Sequence, residues 1–223
     1  MRNTIATLFA SFLFFSCANT PADQNDDKST SEDTKKDNPV SSPTLFDGNY
    51  NINSELSTCR WLGTGIADNR HNGSLNVYKG SVVVNNNNVT SGIVSMDMTS
   101  IEVEDLSGAS KKSLTNHLKS EDFFGVEQYR TSQLKLSALK TREGKSYAIG
   151  DLKIRGIVKP IAFPLVVTQE GKQLVFDGDM AFDRSQYDVK FRSGSFPDLF
   201  PDLGDKLIND TIVISFHLLA EPS

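Results

Sequence analysis

The chain has 223 residues, of which 38% are hydrophobic and 23% charged, the balance of a globular protein. No run of eighteen apolar residues occurs, which excludes a bundle of membrane-spanning helices. With 28 acidic residues against 23 scattered basic ones, a formal charge of -5, nucleic acid is not an expected partner. Two cysteines and three histidines can build neither a disulfide framework nor a Cys/His zinc site, so no metal is expected.

Arg2 followed by the apolar run at residues 5–15 has the length and charge order of a secretory signal, and residues 1–16 are assigned to it. Ser16-Cys17 places a small residue before a cysteine where cleavage would fall, which resembles a bacterial lipoprotein signal with Cys17 as the lipidated new N-terminus. Phe14 and Phe15 depart from the usual Leu and small residue at those positions. Ordinary cleavage nearby, releasing a soluble protein, is the alternative. The expected location is the cell envelope, lipid-anchored to a membrane such as the outer membrane and facing the periplasm or the cell surface. With Cys17 in a thioether, Cys59 has no intrachain partner and reads as a buried thiol. Residues 17–44 continue as the lipidated N-terminus and a disordered linker, rich in Asp, Asn, Ser, Thr, Lys and Pro up to residue 44 and without an aromatic residue. As a flexible coil this stretch spans on the order of 30 Å.

Residues 45–223 form one domain and carry all ten Phe that lie outside the signal. Period-two alternation recurs along it in Leu75 and Val77, Val82 and Val84, Val94, Met96 and Met98, Leu134 and Leu136, and Leu152 and Ile154. It continues through Ile161, Phe163 and Leu165, then Leu174 and Phe176, Met180 and Phe182, and Ile212, Ile214, Phe216 and Leu218. Such alternation means strands with one buried face. Turn signals are read at Tyr78-Lys79-Gly80, the asparagine run 85–88, Glu143-Gly144-Lys145, Glu170-Gly171-Lys172 and Asp177-Gly178-Asp179. Residues 110–125 differ: Leu114 and Leu118 lie four apart among polar residues, predicting a short amphipathic helix from which one of Phe123 and Phe124 reaches out to cover the sheet. The expected fold is all-β, an antiparallel eight-stranded β-barrel with a short helix near the mouth, since closure removes exposed edges and eight strands leave space for side chains or one small ligand.

Motifs in chain order then suggest a family. Trp61-Leu62-Gly63, His71-Asn72-Gly73 and Leu118-Lys119-Ser120-Glu121-Asp122-Phe123-Phe124 resemble the YceI-like domain family. So do Gly150-Asp151-Leu152-Lys153-Ile154-Arg155-Gly156 with Lys159-Pro160, Phe182-Asp183-Arg184-Ser185-Gln186-Tyr187-Asp188-Val189, and Gly204-Asp205 with Asn209-Asp210-Thr211-Ile212-Val213-Ile214. Arg130 follows Tyr129 where the family usually has Pro, and Asp188 stands where Gly is common. The resemblance implies an extended lipocalin-like barrel exported to the periplasm and holding a long isoprenoid or similar amphiphile. It supplies no catalytic residues.

A hydrocarbon tail binds through burial alone; about 500 Å² removed from water gives roughly 12 kcal/mol gross, against about 4 to 15 kcal/mol for association and ordering. A preformed, dry channel is therefore required. Met96, Met98, Leu152, Ile154, Phe163, Phe176, Phe182 and Phe216 are the candidates for its wall, with Phe123 and Phe124 covering it. Ordinary core is the competing reading for each. Trp61 could meet a ligand's polar head through its indole N–H, or pack at the closed end of the barrel. His71 could do the same or serve a turn, His117 is placed on the polar side of the helix, and His217 points opposite Phe216.

Ser185, His71 and Asp183 can be nominated as a triad, but no nucleophile-elbow spacing supports them, and an enzyme is not expected. Arg184 beside Asp183 reads as a structural ion pair or a buried hydrogen-bond hub at a strand end, and so does Arg155 before Gly156. The loop Phe196-Pro197-Asp198-Leu199-Phe200-Pro201-Asp202-Leu203 is read as folding back over the barrel end, with a lid or membrane contact as the other use. The expected function is binding a long-chain amphiphile, a polyisoprenoid or isoprenoid quinone, for transport, storage or sequestration. No cofactor is required. An envelope scaffold or stress-related module with a filled barrel is the alternative, and a homodimer stays open.

Overall fold

Alternating apolar and polar residues build most of the domain into strands. A computed structural model describes residues 44–67 and 69–223; the signal assigned to 1–16, Cys17 and the linker up to residue 43 lie outside the described residues. In chain order the elements are β1 (Gly48–Ile52), β2 (Thr58–Gly65), β3 (Arg70–Asn85), β4 (Asn88–Val103), α1 (Gly108–Lys119), β5 (Thr131–Arg142), β6 (Lys145–Ile154), β7 (Ile157–Pro164), β8 (Val166–Glu170), β9 (Gln173–Asp183) and β10 (Ile208–Pro222). All pairings between these strands are antiparallel.

The ten strands fill eight places around a barrel. β1 and β2 run in line, each paired with β3 on one side and β10 on the other, with residues 53–57 looped out between them. β7 pairs with β6 while β8 pairs with β9, and a single residue, Leu165, joins the two. The chain itself thus closes the sheet by changing neighbours at Leu165. The eight-stranded expectation holds as positions, with two positions broken into halves.

Tight hairpins explain the antiparallel order. Asn86 and Asn87 (φ 52° and 59°), Glu143 and Gly144 (51° and 73°) and Arg155 and Gly156 (49° and 77°) all turn in the left-handed region that two-residue hairpins require. Two turns read from the sequence are not turns. Tyr78-Lys79-Gly80 lies inside β3, where the pairing with β4 shifts register between Val77 and Lys79. This is a bulge, which moves the buried face from Leu75 and Val77 to Val82 and Val84. Asp177-Gly178-Asp179 lies inside β9; a Cβ on Gly178 would come within 2.8 Å of Phe216 Cζ and 2.9 Å of the Pro164 carbonyl oxygen. The glycine lets the closing seam approach, and the strand runs straight through it.

One end of the barrel is stoppered by the segment that leads into it. Leu45 is buried, and its N–H donates to Asn87 Oδ1 in the β3–β4 turn. The Phe46 N–H donates to Gln169 Oε1 at 2.9 Å, and Asp47 accepts from the N–H groups of Asn86 and Asn87. At the opposite end lie α1 and the long connection from β9 to β10. The helix is shorter than the 110–125 expected: Ser120 ends it, and residues 121–125 turn, with Gly125 at φ 55°. Freed from the helical stripe, Phe123 is buried and Phe124 partly buried.

Candidate functional site

The barrel interior is an elongated cavity of about 460 Å³ that reaches the surface at the helix end. Its floor is formed by Ile52, Val82, Ala148, Leu165 and Leu218, and its mouth by Thr64, Gly65, Asn69, His71, Arg192, Asp205 and Lys206. Period-two geometry aims one face of each wall strand inward. On β10, Ile212, Ile214, Phe216 and Leu218 line it over roughly 20 Å of strand at about 3.4 Å per residue.

All eleven residues nominated from the sequence line this space: Trp61, Met96, Met98, Phe123, Phe124, Leu152, Ile154, Phe163, Phe176, Phe182 and Phe216. Phe163 and Phe216 meet edge to face with centroids 5.9 Å apart. Val94, Leu134, Leu136, Ile212, Ile214 and Leu218 also line it and were not nominated, although each shares parity with an apolar neighbour on its own strand. Trp61 is not at the closed end. It sits near the mouth, between Gly73 on β3 and Ile214 on β10, with its indole N–H donating to the Glu102 carbonyl at 3.1 Å. A Cβ on Gly73 would lie 2.8 Å from the Trp61 ring, so the bare glycine makes room for the indole.

The histidines correct the sequence reading in part. His71 lies on β3 and not in a turn; its Nδ1 is 2.7 Å from Asp105 Oδ2. The Asp105 carboxyl is raised by burial but held below its usual value overall, because the Asn72 N–H and His71 bond to it. His117 is not on a solvated face. It lines the cavity and packs edge-on against Phe123 at 5.1 Å and Phe191 at 4.5 Å, while its Nε2 sits 3.2 Å from Asp122 Oδ2. His217 is on the outer surface, 2.7 Å from Asp177.

Arg184 is the hub expected, but with a different carboxylate. It is fully buried and donates to the carbonyls of Val189 (3.0 Å), Ile208 (3.1 Å) and Asn209 (3.2 Å), so one guanidinium holds both ends of the connection between β9 and β10. Its ionic partner is Asp210, with Nη2 to Oδ1 3.2 Å, an ion-pair contact without good hydrogen-bond geometry. Burial lowers the guanidinium from its ordinary value, and Asp210 and Asp183 offset part of that. Asp183 instead caps the turn at Arg184–Tyr187, accepting from the N–H (2.9 Å) and hydroxyl (2.6 Å) of Ser185. Ser185 is therefore bound to Asp183 and not aligned with His71, which is held by Asp105. Asp188, where the resemblance expects Gly, adopts φ 63°, the conformation a glycine would supply. Arg155 anchors the turn after α1 through the carbonyls of Glu121 (3.1 Å) and Phe123 (2.6 Å).

The loop at residues 196–203 folds back in part. Phe200 packs on Phe191 at 5.8 Å, and Phe191 lines the cavity, while Leu199 stays 57% exposed. Cys59 is a free thiol on the cavity wall, pushed up to about 12 by burial. No group of three His, Cys, Asp or Glu side chains suited to a metal occurs among the described residues.

The signature of the YceI-like domain family matches residues 50–220. A curated relative, UPF0312 protein plu2095 of Photorhabdus laumondii, is 28% identical over 135 residues, 60% of this chain and 62% of that protein, so the match spans about three fifths of the relative's length. The crystal structure of Burkholderia cenocepacia BcnA superposes with a TM-score of 0.60 at 20% identity, covering 75% of this chain and 98% of that one. A polyisoprenoid binding domain from Saccharophagus degradans, implicated in plant cell wall breakdown, superposes at 0.55 with 11% identity, covering 78% and 98%. Both similarities show a shared fold.

Proposed function

The chain belongs to the YceI-like domain family, and from that premise we propose that its barrel holds the hydrocarbon tail of a long-chain amphiphile, a polyisoprenoid or isoprenoid quinone, for transport, storage or sequestration in the cell envelope. The observation that carries this reading is the cavity. It is walled by apolar side chains from both halves of the chain, open at one end and stoppered at the other, and its volume of about 460 Å³ falls in the range of small-molecule sites. The polyisoprenoid binding domain of Saccharophagus degradans has the same fold, which supports a ligand of that type.

The tail enters past Phe123, Phe124 and Phe191 and lies along Met96, Met98, Ile214 and Phe216 toward Ala148 and Leu165. Methionine adapts to an irregular chain, and the Phe rings give large contact area. Catalysis is not part of the proposal, since neither Ser185 nor Cys59 is poised as a nucleophile. Lipidation at Cys17 would keep the barrel at the membrane from which such cargo comes.

Native mass spectrometry and organic extraction of protein purified from its own host test this reading. A co-purifying long-chain lipid is expected. Its repeated absence overturns the carrier reading in favour of a scaffold. Separately, Cys17→Ala should move the protein from the membrane fraction to the soluble fraction, and unchanged retention would refute the anchor.

A further inference from the structure

In a chain whose acidic residues outnumber its basic ones, the ionisable groups facing the cavity are strongly biased the other way. His71, His117, Arg184, Arg192 and Lys206 line it, against the single carboxylate of Asp205. Three of the five are already matched: His71 by Asp105, His117 by Asp122 and Arg184 by Asp210. Arg192 and Lys206 have no carboxylate at ion-pair distance among the described residues, and both stand at the mouth.

Arg192 is also held in place. Its backbone adopts φ 51°, which a non-glycine residue rarely takes, and the Arg192 carbonyl accepts from the Ile208 N–H at 2.9 Å beside a bridge between Ser193 and Ile208. The guanidinium lies 5.1 Å from the centroid of the Phe191 ring, itself part of the cavity wall. Cation, aromatic ring and apolar channel are thus arranged in sequence from rim to interior. Arg192 is partly buried and Lys206 exposed, so water solvates both; a neutral ring or hydroxyl head adds no pairing to them, whereas an anion pairs with both at the rim without entering the apolar space.

Resting on the reading that the channel takes an amphiphile's tail, we infer that the mouth selects an acidic head group: the ligand is a long acyl or prenyl chain ending in a carboxylate or phosphate, met by Arg192 and Lys206. Head selection and tail burial are separable, because the first depends on charge at the rim and the second on area inside.

Delipidated full-length protein is titrated with four tryptophan-quenching or calorimetric probes: oleic acid, oleyl alcohol, geranylgeranyl monophosphate and geranylgeraniol. Each acid is expected to bind about tenfold more tightly than its alcohol, the scale of one charge-assisted contact. Raising salt should weaken the acids and leave the alcohols unchanged. In the Arg192→Gln, Lys206→Gln double variant the acid advantage should fall to within about twofold while alcohol binding holds. The pair in which the acid advantage is larger distinguishes carboxylate from phosphate. Acids and alcohols binding equally in the unaltered protein, with no salt dependence, overturns the head-group inference and leaves the carrier reading intact. Failure of all four to bind overturns the carrier reading and the inference with it. The salt titration uses the unaltered chain, so the test stands even if the double variant folds poorly.

Discussion

Replacing Arg184 by Met should cost this fold about 3–5 kcal/mol, the range for breaking a buried ion pair by removing one partner. The guanidinium has no exposed surface, so solvent does not screen its contacts. Its removal strands three carbonyls, those of Val189, Ile208 and Asn209, and leaves Asp210 Oδ1 facing an apolar thioether, while Oδ2 keeps the Ser193 and Ser195 hydroxyls. Methionine fills similar volume, so cavity formation contributes little and the loss reports the polar contacts. At roughly 2–4 °C per kcal/mol for a chain of this size, the midpoint of thermal unfolding should drop by roughly 6–20 °C. Urea denaturation followed by circular dichroism, with scanning calorimetry, measures both quantities. Arg184→Lys should recover little, because one ammonium cannot reach three carbonyls aligned for a planar fork. A single variant within 1 kcal/mol of the parent would refute the role given to this arginine.

Gly178→Val should destabilise by about 1–3 kcal/mol through overpacking at the closing seam, where even a Cβ meets Phe216 and Pro164 at under 3 Å; denaturant titration reads this. Cys59 in a Cys17→Ala chain should resist a disulfide-exchange reagent at pH 8 until denaturant is added, given a thiol held near 12; rapid labelling of the native protein contradicts its burial. Burial raises the Asp183 carboxyl, but the bonds from Ser185 and Gln186 and the Arg184 charge outweigh it and set the folded value below the ordinary one. Its stabilising contribution is therefore full above the unfolded value near 4 and is lost as pH falls below that, so Asp183→Asn should flatten the acid limb of a stability profile. Met96→Trp, projecting a larger ring into the channel, should reduce co-purified lipid while far-ultraviolet circular dichroism stays unchanged; undiminished lipid would place the cargo elsewhere.

Parity along the strands carries most of what the sequence makes legible. Phe176, Met180 and Phe182 are all even-numbered, and that continuity across Gly178 is the mark of one strand, while the change from Leu75 and Val77 to Val82 and Val84 is a change of face. Both places hold Gly beside polar residues, and both were read as turns. A bulge and a close approach use the same residue type as a hairpin, and only the partner strand tells them apart. Nine of the eleven lining residues were legible because large apolar side chains on one face of a closed sheet have nowhere else to point, and Phe123 and Phe124 because two adjacent rings cannot share a narrow helical stripe. Arg192, Lys206 and Phe191 were missed for the opposite reason: they come from an aperiodic connection whose path is set by Arg184 and the Ser193–Ile208 bridge, neither of which leaves a spacing in the sequence. His117 was misplaced because Leu114 and Leu118 alone do not define the helix face that the Phe191 ring later covers.

The residue that closes the far end of the barrel is also the first buried one among the described residues. Leu45 sits among the core side chains, fastened through Asn87, with Phe46 fastened to Gln169 just beyond it. Any pull transmitted from upstream falls on this plug before it reaches a strand. Load arriving from upstream and the integrity of the closed end are therefore one mechanical property, and drawing Leu45 outward would undo its hold on Asn87 while the hoop of strands stayed whole.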